Sequence, residues 1–255
     1  MENSKLALGI ILFLIGAIGV LSLLTMDLTS TIPPEMLEQA LKSVTIEQLQ
    51  WLSLTNPTIL LALFVVAGTL LHDKVGLEVP CIDKMIQNKP WAGIFSGQLK
   101  TGVIGGLAVG AIMVLISAFF MPHLPADFIE AGEKLQLTIA ARFLYGGLTE
   151  EILMRYGLMT FIVWLGFKMT KQLTDNVYWS GIILGAILFG AGHLPLAFSL
   201  SASPSTLLIV YIILGNTVGG LVFGWMYWKK GLEAAIIAHI FAHVAMMGGE
   251  RVLGL

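Results

Sequence analysis

Long apolar runs separated by short polar segments are the main pattern of this 255-residue chain. An apolar run of about 20 residues is long enough to cross a bilayer as a helix. The apolar runs lie at about Leu6–Leu24, Pro57–Leu71, Thr101–Phe120, Leu135–Met169, Val177–Leu200, Thr206–Trp228 and Leu232–Met247. The fourth run contains Gly146-Gly147 and is either one long kinked helix or two pieces. The pattern therefore predicts an all-α, polytopic transmembrane helix bundle of about seven to eight helices.

Two polar segments interrupt the apolar pattern in the first half of the chain. Met26–Asn56 is acidic and contains an amphipathic patch at about Met36–Leu52, which is typical of a helix that lies at a membrane interface. His72–Gln98 is charged and is predicted to be a loop. We divide the chain into residues 1–134, which hold N-terminal membrane helices with polar loops, and residues 135–255, which form a core bundle.

The composition is typical of a membrane protein and argues against a soluble domain and a nucleic-acid-binding protein. Hydrophobic residues make up 56% and charged residues 12% of the chain, and the mean hydropathy is +0.87; soluble domains are about 25% charged. The net charge is −2 and there is no basic run, so no nucleic-acid partner is expected. Cys81 is the single cysteine, which excludes an intramolecular disulfide.

The distribution of basic residues predicts an orientation. With the N-terminus inside and seven spans, the outer segments hold three basic residues, Lys42, Lys134 and Arg251. The inner segments hold Lys5, Lys74, Lys84, Lys89, Lys100, Lys168, Lys171, Lys229 and Lys230. Because cytoplasmic loops carry the excess of Lys and Arg, we expect a multi-pass protein of the cell (inner) membrane with a cytoplasmic N-terminus.

Glu150, Glu151 and Arg155 are ionisable residues inside one predicted span. Each costs roughly 2.5–3.5 kcal/mol at the bilayer centre, so three within one short stretch need a reason. Glu151 and Arg155 are four positions apart and lie on one helical face, where they can pair. Glu150 is rotated by about 100° from Glu151 and points elsewhere. Glu150 is therefore the candidate general base, and Glu151 with Arg155 is the supporting pair.

Three histidines lie on two later spans: His193 just before Pro195, and His239 and His243 four positions apart on one face. A neutral imidazole can donate a hydrogen bond to a carboxylate or to a developing oxyanion. Three histidines and a carboxylate are also a plausible zinc set, although His-x-x-x-His lacks the glutamate of the usual zinc-protease helix. Each feature alone is compatible with ordinary packing, but their combination on three spans indicates a buried hydrolytic site.

The motifs Glu150-Glu151-x-x-x-Arg155, Phe189-x-x-x-His193 and His239-x-x-x-His243 resemble those of the CAAX protease and bacteriocin-processing family of intramembrane proteases, which includes the Rce1-type prenyl endopeptidases. The resemblance covers about Leu135–Gly248 and makes residues 135–255 the catalytic core. It implies that Glu150 and His193 activate a water. It further implies that His239 and the residue four positions later stabilise the oxyanion, and that Arg155 supports the glutamate pair.

Two positions depart from the family pattern. The third motif commonly ends in Asn, where this chain has His243, and Met154 stands where Phe is usual. A ring N–H can replace the amide donor, but a third histidine also makes metal ligation more credible. The family has been described both as metal-dependent and as a metal-independent glutamate protease. Zinc held by His193, His239 and His243 therefore stays open at the level of the sequence.

The resemblance implies an intramembrane endopeptidase whose partners are the lipid bilayer and a membrane-embedded or lipid-modified peptide, such as a prenylated C-terminal motif. The alternative is a non-catalytic member of the same family, which acts in bacteriocin immunity or as a signalling scaffold. A third class, an ion or proton carrier, is disfavoured because the charged groups cluster at one place instead of forming a path.

One distance argues against a straight helix through the site. Glu150 is about eighteen residues from Lys168, or roughly 27 Å along a straight helix. His239 is about nine residues after Lys230, or roughly 13 Å. The two side chains can meet only if the helix of Glu150 is tilted, broken or extended past the inner surface, and we expect the extension.

Overall fold

Seven helical stretches of the described residues are long and apolar enough to cross a membrane. They were identified in a computed structural model, which describes residues 2–27, 29, 32, 34–135 and 137–254. The remaining positions, which include parts of the predicted segments Met26–Asn56 and Leu135–Met169, lie outside the described residues. The spans are Asn3–Thr25, Ile46–Val75, Ala92–His123, Ala141–Thr170, Asp175–Ser199, Thr206–Lys230 and Leu232–Leu253. The prediction of an all-α polytopic bundle is confirmed.

Twelve α-helices and two π-helical segments make up most of the described chain. The first helices are α1 Glu2–Ser22, α2 Pro34–Leu41, α3 Ile46–Ser53, α4 Thr55–Leu71, α5 Pro80–Ile86, α6 Ala92–Phe120 and α7 Ala126–Leu135. The π segments Ala141–Thr149 and Ile152–Met159 follow, and lead into α8 Thr160–Thr170. The chain continues through α9 Asp175–Gly192, α10 Leu194–Ser199, α11 Thr206–Lys230 and α12 Leu232–Leu253.

The predicted loop His72–Gln98 is wrong in part. The helix α5 lies inside it, and α6 begins at Ala92 instead of at about Thr101. Residues 91–98 are mostly small or apolar, so the helix continues beyond the run that the hydropathy pattern marks. The early start of α6 matters for the position of α12, because it brings Gln98 of α6 beside the beginning of α12.

In the described part of Leu135–Met169, one helical stretch is long and apolar enough to cross a membrane. The helix α7 ends at Leu135, and a single helical span then runs from Ala141 to Thr170. Much of it is wound as a π-helix, in which the Glu150 N–H donates to the Tyr145 carbonyl, five residues back. π-helical turns occur frequently at functional sites. Here Glu150 and Glu151 lie between the two π segments.

Close packing of α6 against α12 depends on the glycines that the sequence spaces four apart. A Cβ at Gly106 would lie 2.3 Å from the Ala238 carbonyl oxygen, and one at Gly110 would lie 2.5 Å from the Ala242 carbonyl oxygen. Glycine therefore permits the two backbones to approach, as small residues do in membrane bundles. The same α12 segment carries His239 and His243, so this contact positions the site.

Two helices from the first half of the chain pack against the span that carries the glutamates. The helix α1 packs against the first π segment, and α4 packs against the second. Lys5 of α1 forms an ion pair with Asp73, just after α4. The amphipathic patch Met36–Leu52 becomes two short helices, α2 and α3, with Met36, Trp51 and Leu52 exposed. Their place at the membrane interface and the division at residues 134 and 135 stay predictions.

We expect Gly106→Ala to lower the thermal stability of the detergent-purified protein markedly, because the new Cβ meets backbone atoms that cannot move aside. The cost is expected to be about 1–3 kcal/mol or more. Gly248→Ala is the matched control on α12, since a Cβ there meets nothing within 4 Å. Melting curves of the two variants measure the difference, and equal melting temperatures would contradict the packing argument.

Candidate active site

The predicted pair of Glu151 and Arg155 is present at the centre of the bundle. The Arg155 Nε lies 3.1 Å from the Glu151 Oε2, and the two side chains are 3% and 0% exposed. The two residues are four apart on the span that contains the π segments. A buried charge is tolerated only where it is paired, and each member supplies the charge that the other needs.

Arg155 also contacts two other spans. Its guanidinium carbon lies 5.1 Å from the centre of the Phe189 ring on α9 and 5.5 Å from the centre of the Phe223 ring on α11. One terminal nitrogen donates to the Gly220 carbonyl oxygen at 3.4 Å. Arginine placed over aromatic faces gains cation–π attraction, which is strongest where water is excluded. Arg155 thus joins three spans around the motif.

His239 binds Glu151, which differs from the expected partnership with Glu150. The His239 Nδ1 lies 2.8 Å from the Glu151 Oε1, so one buried carboxylate holds both the arginine and this histidine. The reason is that Glu151 points into the centre of the bundle, whereas Glu150 points towards the end of α9. The contact shows that the glutamates and His239 lie at the same depth although the span 141–170 is unbroken. The extension of this span past the inner membrane surface stays a prediction.

His193 lies opposite Glu150 at the end of α9. Its Nδ1 is 2.8 Å from the Phe189 carbonyl oxygen, and its Nε2 is 3.9 Å from the Glu150 Oε1. A carbonyl oxygen can only accept, so Nδ1 carries the proton and the Nε2 of the neutral ring is an acceptor. The 3.9 Å gap is too long for a direct hydrogen bond, and a polar gap of this kind suits a bridging water.

These two side chains are the accessible part of the site. The His193 side chain is 32% exposed and that of Glu150 is 17% exposed. The segment after α10 is bound by Asp127 of α7, whose carboxylate accepts hydrogen bonds from the Ala202 N–H and the Ser201 hydroxyl. The hydrogen bond from the Ala202 N–H is the main reason why the pKa of the Asp127 carboxyl lies below its usual range.

His243 stacks on His239 with ring centres 5.0 Å apart and planes inclined by 14°. Both of its ring nitrogens are buried and have no hydrogen-bond partner among the described residues. A Cβ at Gly146 would lie 2.8 Å from the His243 Nε2, so glycine makes room for the ring. A cavity of about 80 Å³ adjoins both histidines, which is enough space for water or a small polar group.

Asn216 is a cavity residue that the sequence argument missed. It lies on α11 and lines the same cavity as His239 and His243, and its side-chain amide donates to the Ile212 carbonyl oxygen at 2.8 Å. Asn216 is the single amide side chain within its apolar span, and the sequence alone shows this. Polar residues inside a membrane often have a function, so this feature could have identified it.

The zinc set that the sequence left open is not assembled here. Among the described residues, no group of three or more His, Cys, Asp or Glu side chains is placed to hold a metal ion. The lone pairs of an imidazole lie in its ring plane, so the nearly parallel rings of His239 and His243 do not aim at one point.

Residues 132–245 match a protein-family model that is described as type II CAAX prenyl endopeptidase Rce1-like. The matched range contains both glutamates, Arg155 and the three histidines, and it coincides closely with the range on which the resemblance rested. No curated protein and no solved structure matches the chain.

Breaking the buried pair is expected to be costly. Arg155→Met leaves the Glu151 carboxylate without its cation, and removal of one partner of a buried ion pair typically costs about 3–5 kcal/mol. Arg142→Met is the matched control. The Arg142 Nη1 lies 3.7 Å from the Glu250 Oε2, and the two side chains are 20% and 29% exposed. Loss of this partly exposed pair should cost about 1 kcal/mol or less. Thermal unfolding in detergent compares them, and equal losses would show that Arg155 has no special structural role.

Proposed function

Through residues 132–245 the chain belongs to the Rce1-like family of type II CAAX prenyl endopeptidases, and we propose that Glu150 and His193 activate the water with which it cleaves a peptide bond. At family level this is a CAAX-type intramembrane endopeptidase, and seven apolar helices make it an integral, multi-pass membrane protein. The observation that carries the assignment of residues is the 3.9 Å gap between the Glu150 Oε1 and the His193 Nε2.

Both atoms that face this gap are acceptors. The carboxylate of Glu150 accepts hydrogen bonds, and so does the Nε2 of His193, because the Phe189 carbonyl keeps the ring proton on Nδ1. A water between them donates one hydrogen to each side chain. Its oxygen lone pairs are then directed away from both acceptors, toward a carbonyl carbon of the substrate. Such positioning and proton removal are the two contributions of a general base.

The steps of the reaction follow from this arrangement. The water oxygen bonds to the scissile carbonyl carbon while one of its protons passes to the Glu150 carboxylate. The carbonyl π electrons move to the oxygen, which becomes the oxyanion of a tetrahedral intermediate. When this collapses, the carbon–nitrogen bond breaks and the proton held by Glu150 goes to the leaving nitrogen. Glu150 returns to its carboxylate form, and no other reactant is consumed.

His239 and His243 are the pair that stabilises the oxyanion, with His243 as the donor and His239 holding it in place. The His239 Nδ1 donates to the Glu151 Oε1 at 2.8 Å, which holds the ring in one orientation. His243 stacks on the same ring and has two buried nitrogens without a partner, so it can donate to a newly formed acceptor. Donors placed in advance at the developing charge are typically worth about 10²–10³ in rate.

The substrate class follows from the family and from the position of the site. The family name points to peptides with a prenylated C-terminal motif, and a membrane-embedded or lipid-modified peptide can reach a site between spans from the bilayer. We further propose that the chain lies in the cell (inner) membrane with its N-terminus in the cytoplasm. The excess of lysines on the segments assigned to the inner side supports this orientation.

Glu150→Gln tests the assignment. The amide cannot take the proton of the water, so hydrolysis of a fluorogenic prenylated peptide in proteoliposomes should fall by about 10²–10⁴-fold with little change in melting temperature. Glu250→Gln is the matched control, since this carboxylate lies near the end of α12; it should keep wild-type activity. If Glu150→Gln cleaves as fast as the wild type, the hydrolase assignment is wrong and the non-catalytic family function takes its place.

Metal removal tests the part played by the histidines. We expect the purified protein to keep its full peptidase activity after dialysis against excess chelator, because the described side chains form no three-residue donor group. Elemental analysis of the same preparation should show less than stoichiometric zinc. An activity that is lost on chelation, and is restored by zinc only when His193 is intact, would instead establish a metalloenzyme.

A further inference from the structure

A second, larger cavity lies at the lysine-rich end of the bundle and is separate from the proposed active site. It has a volume of about 760 Å³ and lies between the beginning of α6, the segment before α5 and the turn between α11 and α12. None of Glu150, His193, His239 and His243 lines it. Its size is within the range of about 300–1,000 Å³ that is usual for small-molecule sites.

The cavity is basic. Lys100, Lys229 and Lys230 line it, against the single carboxylate of Glu78. The Lys229 Nζ lies 3.3 Å from the centre of the Trp228 ring, so this ammonium group is held at the cavity wall. Basic pockets between transmembrane helices bind the headgroups of anionic lipids. The charge therefore favours an anion as the occupant.

The nearby buried carboxylate does not neutralise these lysines. Glu233 of α12 accepts hydrogen bonds from the N–H groups of Cys81 and Ile82 at 2.8 and 3.0 Å and from the Gln98 amide at 3.1 Å. Gln98 also donates to the Lys230 carbonyl oxygen at 2.8 Å. These bonds fix one side of the cavity and turn the carboxylate of Glu233 toward α5.

Part of the wall that α6 forms is apolar and open. Along α6, Ile94, Gly97, Thr101 and Ile104 follow a helical spacing and line the cavity, and Ile104 is 60% exposed. A Cβ at Gly97 would meet nothing within 4 Å, so the glycine leaves space and is not needed for packing. Ile104 lies one helical turn deeper along α6 than Lys100. A basic end beside an exposed apolar wall suits a molecule that has an anionic head and hydrocarbon chains.

We propose that this cavity binds the phosphate headgroup of an anionic phospholipid. The ammonium groups of Lys229, Lys230 and Lys100 bind the phosphate oxygens, and the acyl chains run along α6 past Ile104 into the bilayer. The proposal does not depend on peptidase activity, because binding itself is measured.

Native mass spectrometry of the full chain in detergent tests the headgroup preference. Phosphatidylglycerol and phosphatidylethanolamine with identical acyl chains are added in equal amounts, and the wild type should retain phosphatidylglycerol preferentially. Each lysine near a phosphate is worth on the order of fivefold in binding, so Lys229→Gln with Lys230→Gln should weaken retention roughly 30-fold. Equal retention of the two lipids by the wild type would overturn the proposal.

Lys168→Gln with Lys171→Gln is the matched charge control. These lysines lie in the last turn of α8 and directly after it, and they do not line the cavity. The control pair should bind phosphatidylglycerol as the wild type does; a loss equal to that of the Lys229 and Lys230 variant would show nonspecific charge attraction and overturn the site. Melting temperatures close to wild type establish that each variant is folded.

Gly97→Leu separates volume from charge. The added side chain enters open space on α6 and fills the cavity while all three lysines remain, so phosphatidylglycerol retention should fall at an unchanged melting temperature. Undiminished retention would contradict binding inside the cavity. Glycerol 3-phosphate is the soluble competitor and should not displace the lipid; displacement at equal concentration would assign the site to a soluble phosphate instead.

Discussion

The carboxylate of Glu151 is the interaction on which the rest of the site depends. It lies at 0% exposure, 3.1 Å from the Arg155 Nε and 2.8 Å from the His239 Nδ1. A lone carboxylate at this depth would be strongly destabilising, and the attraction of a cation compensates for its desolvation. Because Arg155 also contacts Phe189 and Phe223, the single charge fixes the relative positions of four spans. Among the described residues, Glu150 forms no ion pair with a lysine or arginine and faces His193.

The sequence predicted that Glu151 pairs with Arg155 and that Glu150 points elsewhere, because this arrangement depends on spacing along one helix. The four-residue separation of Glu151 and Arg155 places them on one face, and the adjacent Glu150 then points elsewhere. The hydropathy pattern predicted the seven spans for the same reason, since the length of an apolar run is a local property. The four-residue spacing of Gly106 and Gly110 is equally local, and it permits the close contact between α6 and α12.

What sequence reasoning missed depends on contacts between distant segments. The partner of His239 is Glu151 and not Glu150, and this follows only from how α12 sits against the span 141–170. The π winding around the two glutamates has no hydrophobic periodicity by which to predict it. The helical start of α6 at Ala92 lies in a segment that charge and proline mark as a loop, yet Gln98 there binds Glu233 across the bundle.

Contacts at the beginning of α12 fix the position of this helix, as do the contacts of its histidines. Gly231, with φ of +99°, joins α11 to α12 in a conformation that other residues rarely adopt, and a Cβ there would lie 2.5 Å from Pro80. Glu233 then ties the first turn of α12 to α5 and α6. With the helix held at this end and against α6, His239 meets Glu151 without a flexible element between them. A site of this kind is assembled by the folding of the bundle itself, before any substrate arrives.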